Sequence, residues 1–201
     1  PDLMAAHNHV MKKFGHKEKE LSDIKLLAGK GSWLMMQKSF KKKIDDEKIK
    51  KNMTSEFINY YSQNIDNKSK PIEGIINFLE WAKTKNISMA VCTNKQEKLA
   101  IDLLKKIKMF DYFDYIAGCD TFNYNKPDPR HLTDVVEIIG GNLNKAIMVG
   151  DSEVDANSAS NAKIPFILVE GGYTEKTSGE INHSELIKNF NSFDKVIEKY
   201  L

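Results

Sequence analysis

Apolar residues in the first third of the chain recur every three or four positions, the spacing of one face of an α-helix. This spacing predicts a helix ending at Gly15, a second over about 18–27, a third that includes Trp33 and Phe40, and a longer one that includes Ile49 and Tyr61. None of these stretches alternates between apolar and polar residues, as a half-buried strand does. The first 66 residues are therefore predicted to be entirely helical.

The pattern changes after a polar segment, residues 67–71, that ends in proline. From there to the end of the chain, short apolar runs alternate with helical periodicity. We predict strands at 87–92, 115–117, 146–149 and 166–169, and helices at about 72–82, 96–108, 129–139, 153–162 and 192–200. This alternation predicts an α/β fold with a mostly parallel, Rossmann-like sheet covered on both faces. The predicted domains are an all-helical cap at 1–68 and an α/β core at 69–201.

The overall composition limits the classes of partner. Hydrophobic residues make up 41% of the 201 residues, enough for a core, and the net charge is +2. That balance gives no reason to expect nucleic acid or a membrane as a partner, and no apolar run approaches the roughly 20 residues that span a bilayer. Cys92 and Cys119 are expected to be reduced thiols, and His7 and His9 to lie at the surface. We expect a cytoplasmic protein.

Side chains suited to phosphate and metal chemistry follow the predicted strands. Thr93 and Asn94 follow the first strand, Lys126 lies in the loop after the second, and Asp151 and Asp155 follow the third. Open α/β sheets bind ligands at the carboxyl ends of their strands, so these side chains are expected to converge. The hydroxyl, amide and lysine suit a phosphate group. The two carboxylates, four residues apart, suit Mg²⁺ that keeps several water ligands.

Each of these residues also has a simpler explanation when taken alone. Thr93 and Asn94 are candidates for a helix N-cap, and Lys126 for an ordinary loop lysine. Asp151 is a candidate cap for the helix that begins near residue 153, and Asp155 for an exposed helical acid. Their order at the ends of successive strands favours the phosphate site over these separate explanations.

Three segments resemble motifs of the haloacid dehalogenase-like hydrolases. Val-Cys-Thr-Asn-Lys at 91–95, Asn-Lys-Pro-Asp-Pro at 125–129 and Val-Gly-Asp-Ser-Glu-Val-Asp at 149–155 are similar to the family's second, third and fourth motifs. The Thr-Asn-Lys sequence, the Lys-Pro-x-Pro run and Gly-Gly-Tyr at 171–173 are most similar to the phosphoglycolate phosphatase branch. The resemblance covers essentially the whole chain.

The resemblance implies a Mg²⁺-dependent phosphatase of small phosphorylated metabolites, with 2-phosphoglycolate as the best candidate substrate. Thr93 would bind the transferring phosphoryl group, Lys126 would neutralise its charge, and Asn94 would position substrate or phosphate. Asp151 would be a direct metal ligand, and Asp155 would support the metal or its waters. The helical cap would exclude water and select the substrate.

Gly29 and Gly31 match a glycine-containing cap loop that lies near the leaving group in this family. An ordinary turn between two helices explains the same Gly-Lys-Gly sequence equally well. The sequence does not decide between the two.

The family's first motif, an apolar strand ending in Asp-x-Asp-x-Thr, is absent from the 201 residues. In that motif the first aspartate is the covalent nucleophile, the second is the general acid/base, and both help to bind the metal. We therefore expect this chain by itself to be inactive and to bind Mg²⁺ weakly. Its sheet would lack a central strand, at roughly 1–3 kcal/mol for each buried group left unpaired. A truncated sequence is the favoured explanation; a partner segment or second copy that completes the sheet, and a rearranged sheet, are the alternatives.

Two other functions are compatible with parts of the pattern. The first is a catalytically inactive phosphate-binding or interaction protein of the same fold. The second is a signalling receiver domain, which also places Asp, Thr and Lys at strand ends. In receiver domains, however, the acids precede Thr and Lys, whereas here they follow them, and the helical first third stays unexplained.

Overall fold

A computed structural model describes residues 2–20, 32–40, 44–172, 174 and 176–201. The chain divides into two compact units, Pro1–Lys70 and Pro71–Leu201. The predicted domain boundary falls after residue 68, two residues earlier. No helix within the described ranges is long and apolar enough to cross a membrane.

The first unit is built from helices: α1 (Asp2–Lys13), α2 (Ser32–Gln37) and α3 (Glu47–Gln63). α3 begins after Asp46, whose carboxylate accepts hydrogen bonds from two backbone N–H groups of the first turn. The apolar faces of the helices supply a buried core: Ala6, Val10, Met11, Met35, Met36, Met53, Phe57, Tyr61 and Ile65.

The helix predicted at 18–27 is wrong at its start, because residues 16–20 form no regular element; its remainder lies outside the described residues. The helix predicted to include Trp33 and Phe40 ends at Gln37. Gly29 and Gly31 also lie outside the described residues, so their assignment to a substrate loop stays a prediction.

Among the described residues of the first unit, Asp2 and His7 are buried despite their polarity. His7, predicted at the surface, is fully buried, and its Nε2 lies 2.8 Å from Oγ of Ser39. The helical periodicity that places His7 on the apolar stripe of α1 prevails over its polarity. Asp2, 3% exposed, accepts hydrogen bonds from the backbone N–H groups of Lys68 and Ser69 and from the Ser69 hydroxyl.

The second unit alternates helices and strands. Its elements are α4 (Ile75–Thr84), β1 (Ala90–Cys92), α5 (Glu97–Lys106), β2 (Tyr115–Ala117), α6 (Arg130–Ile138), β3 (Met148–Gly150), α7 (Glu153–Ala162), β4 (Phe166–Val169), β5 (Glu185–Ile187) and α8 (Phe193–Ile197). β1 and β3 begin later than predicted, α8 is shorter than the predicted 192–200, and β5 was not predicted. The predicted α/β class is confirmed.

The strands form two parallel sheets rather than one continuous sheet. β1 pairs with β2, while β4 lies between β3 and β5 and pairs with both. Within the described part of the chain, β1 and β3 each pair along one edge only. Their residues are half-buried, whereas all four residues of β4 are buried.

Apolar clusters formed with the helices connect the two sheets. On one face, Cys92 of β1 and Met148 of β3 pack against a single cluster that includes Leu132 of α6 and Ala159 of α7. On the other face, Phe78 of α4 contacts both the cluster over β1 and β2 and the cluster over β4. The two sheets are therefore parts of one core.

Candidate active site

Hydrogen bonds join the ends of β1 and β3 through the loop that follows β2. The Asn94 side-chain Nδ2 donates to the carbonyl oxygen of Lys126 at 3.0 Å. Nζ of Lys126 lies 2.5 Å from Oδ1 of Asp155, and the backbone N–H of Asp151 donates to Oδ2 of Asp155 at 3.1 Å. Thr93 precedes Asn94 directly. The structure thus brings all five predicted core residues to one region.

Backbone pairing fixes the position of Thr93 at the end of β1. Its N–H donates to the carbonyl oxygen of Ala117 at 2.9 Å, one residue beyond the strand, and its Oγ1 accepts from the N–H of Lys95 at 3.1 Å. The next helix has Gln96 at its N-cap position, and the carboxylate of Asp120 accepts from its first N–H. Thr93 and Asn94 are therefore not the cap of α5.

Lys126 and Asp155 form a buried ion pair, with 9% and 5% of each residue exposed. The second carboxylate oxygen of Asp155 accepts from the N–H groups of Asp151 and Ser152 and from the Ser152 hydroxyl, at 3.1, 3.2 and 2.8 Å. Asp155 is therefore not an exposed helical acid. Because a buried charge needs partners, this set of bonds holds both the carboxylate and the ammonium group in place.

Ser152, rather than Asp151, is the N-cap of α7. Its Oγ accepts from the N–H of Asp155, and the Asp155 carboxylate bonds back to the N–H of Ser152, which together form a capping box. The Ser-x-x-Asp spacing is the sequence signal for this motif, and it was available at 152–155. Gly150 allows the close approach, since a Cβ there would lie 2.5 Å from Cβ of Asp155.

Asp151 stands at the end of β3 and is half-buried. Within the described ranges, no group of three or more His, Cys, Asp or Glu side chains is placed to hold a metal ion. Asp151 offers one carboxylate, the hard oxygen ligand that Mg²⁺ accepts while it keeps several waters. Both oxygens of Asp155 are engaged elsewhere, so its role as a metal ligand stays a prediction. The Asp151 carboxylate is therefore suited to Mg²⁺ but supplies only part of the ligands that the ion needs.

Burial changes the titration of two groups beside the site. It raises the pKa of the Cys92 thiol to about 11, which keeps the sulfur protonated at neutral pH and excludes it as a nucleophile. It also lowers the pKa of His131, which is fully buried and whose Nε2 lies 3.1 Å from the carbonyl oxygen of Gly118. His131 was not predicted to be buried; its place on the apolar face of α6, next to Leu132, was the available signal.

An α/β core whose strand ends bring together Thr, Asn, Lys and two Asp residues is the arrangement expected of the haloacid dehalogenase-like hydrolases. The family model for haloacid dehalogenase-like hydrolases matches residues 1–169 of the chain. The chain belongs to this family.

Within the family, the chain is similar to proteins named phosphoglycolate phosphatase. One from Agrobacterium fabrum is 34% identical over 206 residues, covering 98% of this chain and 88% of the relative. Another from Mesorhizobium japonicum is 31% identical over 194 residues, covering 96% of this chain and 86% of the relative.

Solved structures share the fold. A predicted phosphoglycolate phosphatase from Haemophilus somnus superposes with a TM-score of 0.91 over 98% of this chain and 90% of its own, at 22% identity. A β-phosphoglucomutase from Clostridium difficile superposes with a TM-score of 0.80 over 99% of this chain and 89% of its own, at 21% identity. At this level of identity the superpositions establish the fold and leave the reaction open.

Proposed function

We propose that the protein is a Mg²⁺-dependent phosphatase of small phosphorylated metabolites, with 2-phosphoglycolate as its best candidate substrate. The observation that carries the proposal is the bonded network of Asn94, Lys126, Asp155 and Asp151, which lies beside Thr93. The relatives named phosphoglycolate phosphatase support the choice of substrate.

The chain's own residues are suited to binding and neutralising a phosphoryl group. The Thr93 hydroxyl and nearby backbone N–H groups donate to its oxygens. The Lys126 ammonium group has three N–H donors, and its bond to Asp155 uses one of them. The others are available to the charge that builds up during phosphoryl transfer. Asp155 acts by holding Lys126 and the 150–152 turn in place.

We propose that the nucleophile is an aspartate on a strand that pairs between β1 and β3. The open edges and half-buried residues of these two apolar strands support this arrangement. Such a strand would end between Thr93 and Asp151. A carboxylate oxygen of its aspartate would attack phosphorus, the P–O bond to glycolate would break, and a second carboxyl group would protonate the leaving oxygen. Water would then hydrolyse the aspartyl phosphate and release phosphate.

Asp151 is the residue proposed to hold Mg²⁺, together with carboxylates of the proposed strand. The bound ion would supply positive charge to the phosphoryl oxygens. The first unit is proposed to act as the cap that selects the substrate. The assignment of Gly29 and Gly31 to a substrate loop stays a prediction, because both lie outside the described residues.

The test compares phosphate release by two proteins: the 201-residue chain and a longer gene product that also carries the proposed strand, called the complete product. We expect the complete product to hydrolyse 2-phosphoglycolate faster than glycerol 3-phosphate or phosphoserine, and the shorter chain to be inactive. Asp151→Asn and Lys126→Met in the complete product should each lower kcat by at least about 100-fold, as loss of a preorganised charge does. Lys145→Met, at an exposed lysine, is the control and should leave the rate unchanged.

Turnover of phosphate esters by the 201-residue chain would show that the mechanism is wrong. A complete product that hydrolyses no phosphate ester, yet is stabilised against heat by millimolar phosphate with Mg²⁺, would instead establish the inactive phosphate-binding protein.

A further inference from the structure

The segment that follows β4, which begins at Glu170 and includes Gly171, Gly172 and Thr174, lies against Asp151 at Gly172. A Cβ built on Gly172 would lie 2.3 Å from Cβ of Asp151, 2.4 Å from its backbone oxygen and 2.5 Å from its Oδ2. Real Cβ atoms do not approach other atoms this closely. Any side chain at residue 172 would therefore have to displace Asp151. The contact joins two loops at the carboxyl ends of neighbouring strands.

A second contact holds the same segment to the turn that carries Asp151. The Thr174 hydroxyl donates to Oε2 of Glu153 at 2.7 Å, and Glu153 is the first residue of α7. At the other end of the segment, the N–H of Glu170 donates to the carbonyl oxygen of Ile187 in β5 at 2.8 Å. The segment is thus anchored on both sides of Gly172.

We propose that Gly172 and Thr174 are positioning residues that set the place of the Asp151 carboxylate. This inference rests on the proposed role of Asp151 as a Mg²⁺ ligand. Gly172 does for Asp151 what Gly150 does for Asp155: its bare backbone forms a wall against which the acid packs. The hydrogen bond from Thr174 to Glu153 keeps the backbone at Gly172 at a fixed distance from Asp151 by joining the segment to α7.

Two neighbouring glycines provide a matched pair of variants. Gly171 has a φ of +87° and open space where a Cβ would stand, so Gly171→Ala strains the backbone without touching Asp151. Gly172→Ala places a methyl group against the Asp151 side chain. The first variant measures the general cost of an added Cβ in this segment, and the second measures the contact with the acid.

The test measures Mg²⁺ binding by titration calorimetry on the complete product, with folding checked by circular dichroism. Gly172→Ala should weaken Mg²⁺ binding by about tenfold or more, the usual effect of losing a group that orients a metal ligand. Gly171→Ala should lower the urea midpoint and leave the Mg²⁺ affinity within about twofold. Equal Mg²⁺ affinities in the two variants would overturn the proposal.

Thr174 offers a second, milder pair. Thr174→Val keeps the shape and removes the bond to Glu153, while Thr174→Ser keeps the hydroxyl. The valine variant should weaken Mg²⁺ binding several-fold, and the serine variant should match the wild type. If valine and serine bind Mg²⁺ equally well, Thr174 has no positioning role.

Asp151→Asn separates failure of this inference from failure of the proposed function. If Asp151→Asn leaves Mg²⁺ binding unchanged, Asp151 is not a ligand, and the proposed function fails at that point. If Asp151→Asn abolishes binding and Gly172→Ala does not alter it, only the positioning role fails. A crystal structure of Gly172→Ala gives an independent answer: we expect the Asp151 carboxylate displaced, and an unmoved carboxylate refutes the role of Gly172.

Discussion

β4 is an apolar strand like β1 and β3, yet it differs from both in burial. β4 pairs with a neighbour along each edge, and its four residues are all buried. β1 and β3 each pair along one edge within the described residues, and all of their residues are half-buried. β2 also pairs along one edge within the described residues, yet two of its three residues are buried. Pairing along both edges therefore accompanies full burial in β4, but an open edge does not by itself leave a strand exposed.

The predicted site residues are divided between the two sheets. Thr93 and Asn94 belong to the end of the first sheet, and Asp151 to the end of the second. Between the two sheets, the pair of Lys126 and Asp155 is a buried ionic link, and the clusters under α4, α6 and α7 are apolar links. Two experiments test whether the sheets act as one core. One breaks the ionic link, and the other compares a strand paired along both edges with a strand paired along one edge.

The largest effect is expected from breaking the ionic link. Asp155→Ala leaves the Lys126 ammonium group buried without its partner, which typically costs about 3–5 kcal/mol. Urea unfolding followed by the fluorescence of Trp81, in a Trp33→Phe background, reports this loss for the second unit alone, because these are the two tryptophans of the chain.

A matched double variant separates the ion pair from the space it fills. Lys126→Met combined with Asp155→Leu removes both charges, and we expect it to lose less stability than Asp155→Ala, because no uncompensated charge remains. A loss below about 1 kcal/mol for Asp155→Ala would mean that the pair does not link the two sheets.

An intermediate effect is expected from deleting the same side chain in the two kinds of strand. Val169 of β4 is 8% exposed, whereas Val91 of β1 is half-buried. At about 0.8 kcal/mol for each buried CH₂ group, plus the cost of a cavity, Val169→Ala should cost about 2 kcal/mol and Val91→Ala about 1 kcal/mol. The Trp81 urea assay measures both.

The complete product sharpens this comparison. If the proposed strand pairs between β1 and β3, Val91 becomes enclosed, and the cost of Val91→Ala should rise to that of Val169→Ala. Equal costs for Val91→Ala in the complete product and in the 201-residue chain would contradict that pairing.

Local signals predicted much of the fold. The strands at 115–117 and 166–169 have the predicted bounds because each is a short apolar run between polar turns. β5 was missed because Glu-Leu-Ile in a polar segment is too short to show a period; its pairing with β4, a distant contact, makes it a strand. The division into two sheets depends on pairing between separate strands, which periodicity does not encode.

The site divides in the same way. Strand order was enough to predict that Thr93, Asn94, Lys126 and Asp151 converge, because parallel strands end at one edge. One oxygen of Asp155 binds a lysine 29 residues away, a contact that no local pattern predicts. The bonds of its other oxygen to Ser152 belong to a capping box, which has a local sequence signal. The contact of Gly172 with Asp151 arises from the packing of two loops and leaves no pattern in the sequence.

The smallest effect is expected from His131, which lies on α6, the helix that packs against β1 and β2. Burial lowers its pKa in the folded state from the ordinary value of 6.5, so the folded protein favours the neutral ring. Between that lowered pKa and 6.5 the unfolded chain binds more protons, so stability is fully present above pH 6.5 and decreases as the pH falls. The slope approaches at most about 1.4 kcal/mol per pH unit for one group.

His131→Gln keeps a donor for the carbonyl oxygen of Gly118 but does not titrate. In the Trp81 urea assay, the wild type should lose stability between pH 7.5 and pH 5.5, and His131→Gln should lose less. His7, also buried and also with a lowered pKa, lies in the first unit, so His7→Gln should leave the Trp81 slope unchanged. If His131→Gln retained the full dependence of the unfolding free energy on pH, another titrating group of the second unit would be responsible for it, and the prediction for His131 would be wrong.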